Sequence, residues 1–145
     1  MFFMIRRSAA AIERFIRGSQ ELPLSYASVG IAATGATRGI VDEEVHAIGH
    51  GAADFARARA ALCAWKQLAI GWVELFPTTA PVTTGTTVAV VIRHFGFWSI
   101  NGCRVLYSVG DGDPARFGYA YGTLTNHAEA GESSSRCSSI RAPAT

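Results

Sequence analysis

The sequence predicts an α+β domain in which an antiparallel sheet wraps around one main helix. Two patterns point there. Three runs, Thr86 to His94, Asn101 to Val109 and Arg116 to Leu124, alternate in side-chain character and follow one another with only turns between them. Alternation with period two marks a strand, and successive strands joined by turns form an antiparallel meander. Ahead of them, Phe55, Ala58, Leu62, Trp65 and Ala69 recur at spacings of three and four, which puts them on one stripe of a helix. A concave sheet is the natural cover for that stripe.

The bulk numbers agree with one packed domain. The chain has 145 residues, 49% hydrophobic and 17% charged, which is too apolar for disorder. Net charge is only +2, and the basic residues are scattered beyond the N-terminal segment. A nucleic-acid partner, which would need a basic face or stripe, is therefore not expected. Cys63, Cys103 and Cys137 have no metal-like spacing, and an odd, sparse set suits free thiols in a reducing compartment. Met1 to Ile5 is apolar, but Arg6 and Arg7 follow it, the reverse of a secretory leader. No run is long enough to be a membrane span, so a cytoplasmic location is expected.

Taken in order, residues 1–21 read as an N-terminal helix and linker. Ile5, Ala9, Ile12 and Ile16 share a face of a helix running to Arg17, with Gly18 as its stop. The helix is short, and packing on its own domain is favoured over lying on a membrane surface. An extended stretch follows from Leu22 to about Ile31. Gly30, Gly35 and Gly39 then punctuate a loop that lacks the Lys-Ser/Thr ending of a phosphate-cradling loop. Val41 to Ile48 is expected to form a short strand.

Gly49-His50-Gly51 leads into the main helix, expected over Asp54 to Ile70, with Asp54 as cap or first-turn acid and Gly71 as its end. Burying Phe55, Leu62 and Trp65 should contribute roughly 1.5–3 kcal/mol each. Trp72 to Phe76 reads as a short strand. In the next two strands, Val88, Val90 and Ile92 share a face, as do Cys103, Val105, Tyr107 and Val109. Phe95-Gly96-Phe97-Trp98 is an aromatic corner between them, and Asp111-Gly112-Asp113-Pro114 makes the following turn.

The most patterned run is Phe117 to Leu124. Phe117, Tyr119, Tyr121 and Thr123 alternate with Gly118, Ala120 and Gly122, giving one aromatic face and one nearly bare one. Glycine weakens a strand unless something must approach its backbone closely, so a helix or a ligand is expected against the bare face. From Ser133 the sequence has neither helix nor strand period, and residues 133–145 are expected to be a disordered tail.

These pieces resemble uncharacterised protein family 0548, a domain-of-unknown-function family found in bacteria and plants. The resemblance is carried by Leu24-Ser25-Tyr26-Ala27-Ser28-Val29-Gly30, by Gly49-His50-Gly51 with Phe55 and Ala58, and by Ala61-Leu62-Cys63-Ala64-Trp65. It continues through Pro81, Gly85, Thr86 and Cys103-Arg104-Val105. It ends on Phe117-Gly118-Tyr119-Ala120-Tyr121-Gly122-Thr123-Leu124 with His127, Gly131 and Glu132. The family domain would cover residues 22–132. The resemblance implies a helix-grip-like fold, an antiparallel sheet curled around a long helix, a fold that often encloses an apolar cavity. It supplies no catalytic residues. Family members continue after Gly-Glu with a second Glu, an aromatic and further strands, whereas Ser133 onward does not. The domain is therefore expected to be incomplete at its C-terminus, a truncated member, with the Arg116–Leu124 strand exposing an edge.

Function is read as binding of a small apolar ligand, with no catalytic signature. Tyr107, Tyr119, Tyr121, Thr123 and His127 are the candidate ligand-binding residues. Tyrosines offer an apolar ring and a hydroxyl that can orient a ligand. The alternatives are an enzyme using His127 and Glu132 with Tyr119, or a truncated product without function. His46, His50, His94 and His127 match no metal motif, so neither a metal nor a cofactor is expected. Cys63 has no identifiable base beside it. Arg104 is expected to pair with an acid across the sheet.

Overall fold

A computed structural model of the chain describes residues 1–27, 29, 30, 32, 43–110 and 112–139. Its elements are β1 (Phe2–Phe3), α1 (Ala9–Ser19), α2 (Gly51–Cys63), a 3₁₀ turn (Lys66–Leu68), β2 (Val73–Phe76), β3 (Thr87–Arg93), β4 (Trp98–Val109), β5 (Arg116–Thr123) and β6 (Glu132–Ser138). Strands β2 to β6 form an antiparallel meander in chain order, and β1 pairs with the start of β4. The sheet curls into a half-barrel with two helices, consistent with helix-grip-like wrapping.

Alternation along the strands builds two cores, one on each side of the sheet. On one side Val88, Val90, Cys103, Val105 and Tyr119 pack with Trp65 and Ala80. On the other, Ala89, Val91 and Ile100 pack with Ile12 of α1. Helix α1 is thus a packing helix. Ser8 caps it by accepting from the Ala11 N–H at 3.2 Å, and Ile12 is buried against the sheet. It runs past Gly18, and its C-terminal end is held by Arg104. The guanidinium donates to the carbonyls of Ser19 (3.1 Å), Gln20 (2.7 Å) and Leu22 (3.0 Å). These carbonyls lie at and just beyond the negative C-terminal end of the helix, which suits a cation. The acid expected opposite Arg104 is therefore replaced by a helix terminus.

The main helix is shorter than its apolar spacing suggests. It ends at Cys63, and Trp65 adopts the left-handed conformation with φ 57°. That turn directs the indole into the sheet, where its N–H donates to the Ala80 carbonyl at 2.9 Å. The ring meets Tyr119 edge-on at 4.9 Å. Ring packing and a satisfied buried N–H offset the backbone cost. Asp54 does act in the first turn: it accepts from the His50 N–H at 2.9 Å and pairs with Arg57.

Three further expectations change. The stretch from Leu24 forms only an isolated bridge, Leu24 to Leu124, and Ile31 lies outside the described residues. Of the strand expected over Val41 to Ile48, residues 41 and 42 lie outside the described residues, and 43–48 form no strand, with Val45 and Ile48 exposed. Residues 132–138, by contrast, form a strand. β6 pairs with β5 from Arg116↔Ser138 to Gly122↔Glu132, so β5 is not an open edge. Serine is a poor strand former, but the edge of β5 supplies a ladder of backbone partners, and strand preference yields to such context. Residues 140–145 of the expected tail lie outside the described residues.

Candidate functional site

Tyr119 and Tyr121 project from β5 toward Trp65. Tyr119 is 1% exposed, and its hydroxyl donates to the Leu62 carbonyl at 3.0 Å while accepting from Gln67 Nε2 at 2.5 Å. Burial pushes its pKa up to about 12. Tyr121 is likewise raised, again by burial. Both phenols therefore stay protonated across the neutral range. Cys103 sits between the same side chains, its thiol pushed up to about 12 by burial, so it behaves as a small apolar residue.

Tyr107 lies on the opposite face. The register of β4 on β5 jumps from Val105↔Tyr121 to Tyr107↔Ala120. One extra residue in β4 makes a bulge, and a one-residue slip turns the next side chain to the other side of the sheet. Strict alternation groups Tyr107 with Cys103 and Val105. The bulge instead brings it to the bare face of Ala120 and Gly122, where its hydroxyl donates to Glu132 Oε1 at 2.6 Å.

Glu132 is the hub of that second face. Besides Tyr107, it accepts from the Tyr26 hydroxyl (3.0 Å), the Gly30 N–H (2.9 Å) and the Ala32 N–H (3.2 Å). Burial works against the charged carboxylate, but the hydrogen bonds from Tyr107, the two backbone amides and Tyr26 outweigh it and hold the pKa below the usual value. Burial together with the Glu132 hydrogen bond raises Tyr26 strongly. Gly122 makes the arrangement possible, since a Cβ there would run into the Tyr26 hydroxyl. At Gly118 a Cβ would run into the β6 backbone at Ser135 and Arg136. The close approach expected of a helix or a ligand on the bare face is instead made by Tyr26 and by β6.

Thr123 closes the end of β5. Its Oγ1 meets the Ser25 hydroxyl, accepts from the Gly131 N–H at 2.9 Å and lies 3.2 Å from the Gly131 carbonyl. His127 lies beyond the strand, where its Nδ1 accepts from the Glu129 N–H at 2.9 Å. Burial lowers its pKa and favours neutral imidazole. The five expected ligand-binding residues therefore fall into three places. Tyr119 and Tyr121 share the Trp65 face, Tyr107 sits on the other, and Thr123 and His127 lie at or past the end of β5. The acid–base trio is also dispersed. Tyr119 bonds α2 on one face, Glu132 faces two phenols and two amides on the other, and His127 bonds its own loop. A general base needs a lone pair aimed at a reacting proton, and those of Glu132 are aimed at fixed donors.

Sequence reasoning missed Tyr26, Gly30 and Ala32 as partners of Glu132, and Gln67 as a partner of Tyr119. Nothing local links Tyr26 to a carboxylate 106 residues later. Among the described residues, no group of three His, Cys, Asp or Glu side chains gathers where a metal could sit.

A third region has open apolar surface. Helix α2 buries none of its residues fully, and Phe55, Ala58 and Leu62 on its apolar stripe are only half-buried. The Arg59 guanidinium lies 4.8 Å over the Phe117 ring of β5, so the second half of the helix overlies the β5–β6 end of the sheet.

The sequence profile of a family described as a domain of unknown function (DUF1990) matches residues 25–136. The chain belongs to this family. A UPF0548 protein of Deinococcus radiodurans is 35% identical over 146 residues, covering 91% of this chain and 72% of the relative. A UPF0548 protein of Dictyostelium discoideum is 38% identical over 96 residues, 63% of this chain and 44% of the relative. One from Arabidopsis thaliana is 32% identical over 89 residues, 59% of this chain and 43% of the relative. The chain thus spans less than half the length of two of these relatives. No solved structure matches it. Within the matched segment, Ser25, Tyr26 and Gly30 from its start meet Thr123, Gly131 and Glu132 near its end. Of the residues that carry the family resemblance, Tyr26 and Gly30 thus meet at the Glu132 carboxylate.

Proposed function

We propose that this family domain is a non-catalytic binding module for a small apolar or aromatic molecule, seated between α2 and the β5–β6 end of the sheet. One observation carries the reading. A helix that covers a sheet normally seals its apolar stripe, yet α2 leaves Phe55, Ala58 and Leu62 half-buried, with Leu62 packed on the core that Tyr121 also borders and Arg59 lying over the Phe117 ring. A ligand placed there would complete the burial. Tyr121 would contribute ring surface, and Tyr119 would fix the floor through Leu62 and Gln67. The free thiols Cys63, Cys103 and Cys137 suit a module working in the cytoplasm.

Titration with oleate and with a naphthalene-class fluorescent dye, following melting temperature, tests this. A ligand present at a hundredfold its Kd stabilises the fold by about 2.7 kcal/mol. Phe55→Asp should abolish the stabilisation while leaving the unliganded melting temperature within a few degrees. A melting temperature unmoved by either probe, with no apolar molecule co-purifying, would remove the proposal.

A further inference from the structure

We propose that the end of the sheet carrying the β3–β4 turn docks on the surface of an anionic lipid bilayer. The inference does not rest on the ligand reading, because it concerns different residues. The β3–β4 turn is closed by the His94 N–H donating to the Phe97 carbonyl at 2.8 Å. Gly96 takes φ +81° at its tip, and Phe95 beside it is fully exposed. The neighbouring strands bring more apolar side chains to the same rim. β1 pairs Phe3 with Trp98, so the chain leaves β1 toward the turn, and Met4 (81% exposed) and Ile5 (74% exposed) follow there. On the other side, the Trp72 carbonyl accepts from the Arg93 N–H at 2.8 Å, placing exposed Trp72 beside the turn. Phe2 is also exposed and packs edge-on against Phe97 at 5.8 Å. The rim spans β2, β3, β4 and β1. At a strand spacing of about 4.8 Å it is about 14 Å wide.

The charges at this rim select the occupant. Arg6, Arg7 and Arg93 border it, and the acid among them, Glu74, is paired with Arg6 at 2.7 Å. Among the described residues, neither Arg7 nor Arg93 has an ion-pair partner. Arg7 lies 4.3 Å over the Phe3 ring, which holds its charge at the edge of the apolar surface. Tryptophan and phenylalanine flanked by arginines are what the boundary between headgroups and acyl chains accommodates. An anionic headgroup layer supplies the charge that Arg7 and Arg93 lack. No helix among the described residues is long and apolar enough to cross a membrane, so the contact made by this rim is a surface one.

The test is co-sedimentation of the full chain with vesicles of phosphatidylcholine alone and of phosphatidylcholine mixed with phosphatidylserine. Binding is expected only where phosphatidylserine is present, and it should weaken with added salt as the charges are screened. Arg7→Gln and Arg93→Gln should each weaken it about fivefold. Phe95→Ser combined with Trp72→Ser should weaken it about tenfold or more. Both positions are exposed, so the thermal melt followed by circular dichroism should not move, and this separates lost docking from lost folding. No sedimentation with either vesicle, or equal sedimentation with both, would overturn the proposal. So would a dimer by light scattering that Phe95→Ser dissolves, since a second copy would then be the occupant.

Discussion

On one face of β5, Tyr119 is part of the core and Tyr121 borders it: large rings packed against Trp65, with the Tyr119 hydroxyl bonded to Leu62 and Gln67. On the other face, Gly118, Ala120 and Gly122 contribute almost no surface, and neighbours come to them. Tyr26 reaches over Gly122, and β6 presses on Gly118. The first face is held by apolar area and the second by hydrogen bonds to a single carboxylate. The same strand thus shows two ways of fixing its surroundings, with different sensitivities. The aromatic face should fail when volume is removed, and the bare face when volume is added or charge is lost.

The largest effect is expected from Trp65→Ala. Loss of a buried indole should cost about 3–5 kcal/mol in chemical denaturation, and ring contacts with both Tyr119 and Tyr121 go with it. Adding a methyl at Gly122 should cost about 1–3 kcal/mol, since the Tyr26 hydroxyl stands in its place. Tyr26→Phe should reduce that cost, and a double-mutant cycle measures the coupling. Additivity of the two changes would mean that Tyr26 is not what Gly122 makes room for.

Glu132→Gln should cost about 2 kcal/mol, because hydrogen bonds to a charged acceptor are worth more than neutral ones. Its pH signature distinguishes it. A carboxyl held below its unfolded value of about 4.5 contributes stability that is present above that pH and lost as pH falls through the folded pKa. The variant should lack this acid-side loss. The smallest effect belongs to Tyr119→Phe, about 1 kcal/mol for one hydroxyl that bonds Leu62 and Gln67. The native phenol is raised from 10.0 to about 12, so its contribution is full below pH 10 and disappears as pH rises toward 12. Urea midpoints measured across that window should fall for the native chain and stay flatter for the variant.

The two faces also differ in how far the sequence disclosed them. Val88, Val90 and Ile92 alternate without interruption, and β3 is found where that pattern places it. The aromatic side of β5 is equally plain. Alternation alone puts Tyr107 on the wrong side, because a bulge leaves no mark among Val105, Leu106 and Tyr107, which all suit a strand. Helix α2 read too long because Trp65 fits the helical stripe while its ring is held by Ala80 and Tyr119, both distant in sequence. β6 was invisible because its serines are placed by backbone pairing rather than by side-chain pattern. Arg104 showed its charge but not its partners, which are the carbonyls of a helix end more than 80 residues earlier. Local periodicity reports faces of strands and helices, and the Glu132 cluster is made of contacts that periodicity does not encode.

The partners of Glu132 have a consequence for the order in which the chain becomes a protein. Tyr26 and Gly30 are 106 and 102 residues away from the carboxylate that anchors them. On a ribosome, Tyr26 and Gly30 are made early and yet cannot take their places until nearly the whole meander has emerged. During synthesis both wait without their anchor. Contacts of such long sequence separation also slow folding of the released chain, because the loop entropy is lost before the clasp is gained. Refolding followed by tyrosine fluorescence should therefore show the Glu132 clasp closing last.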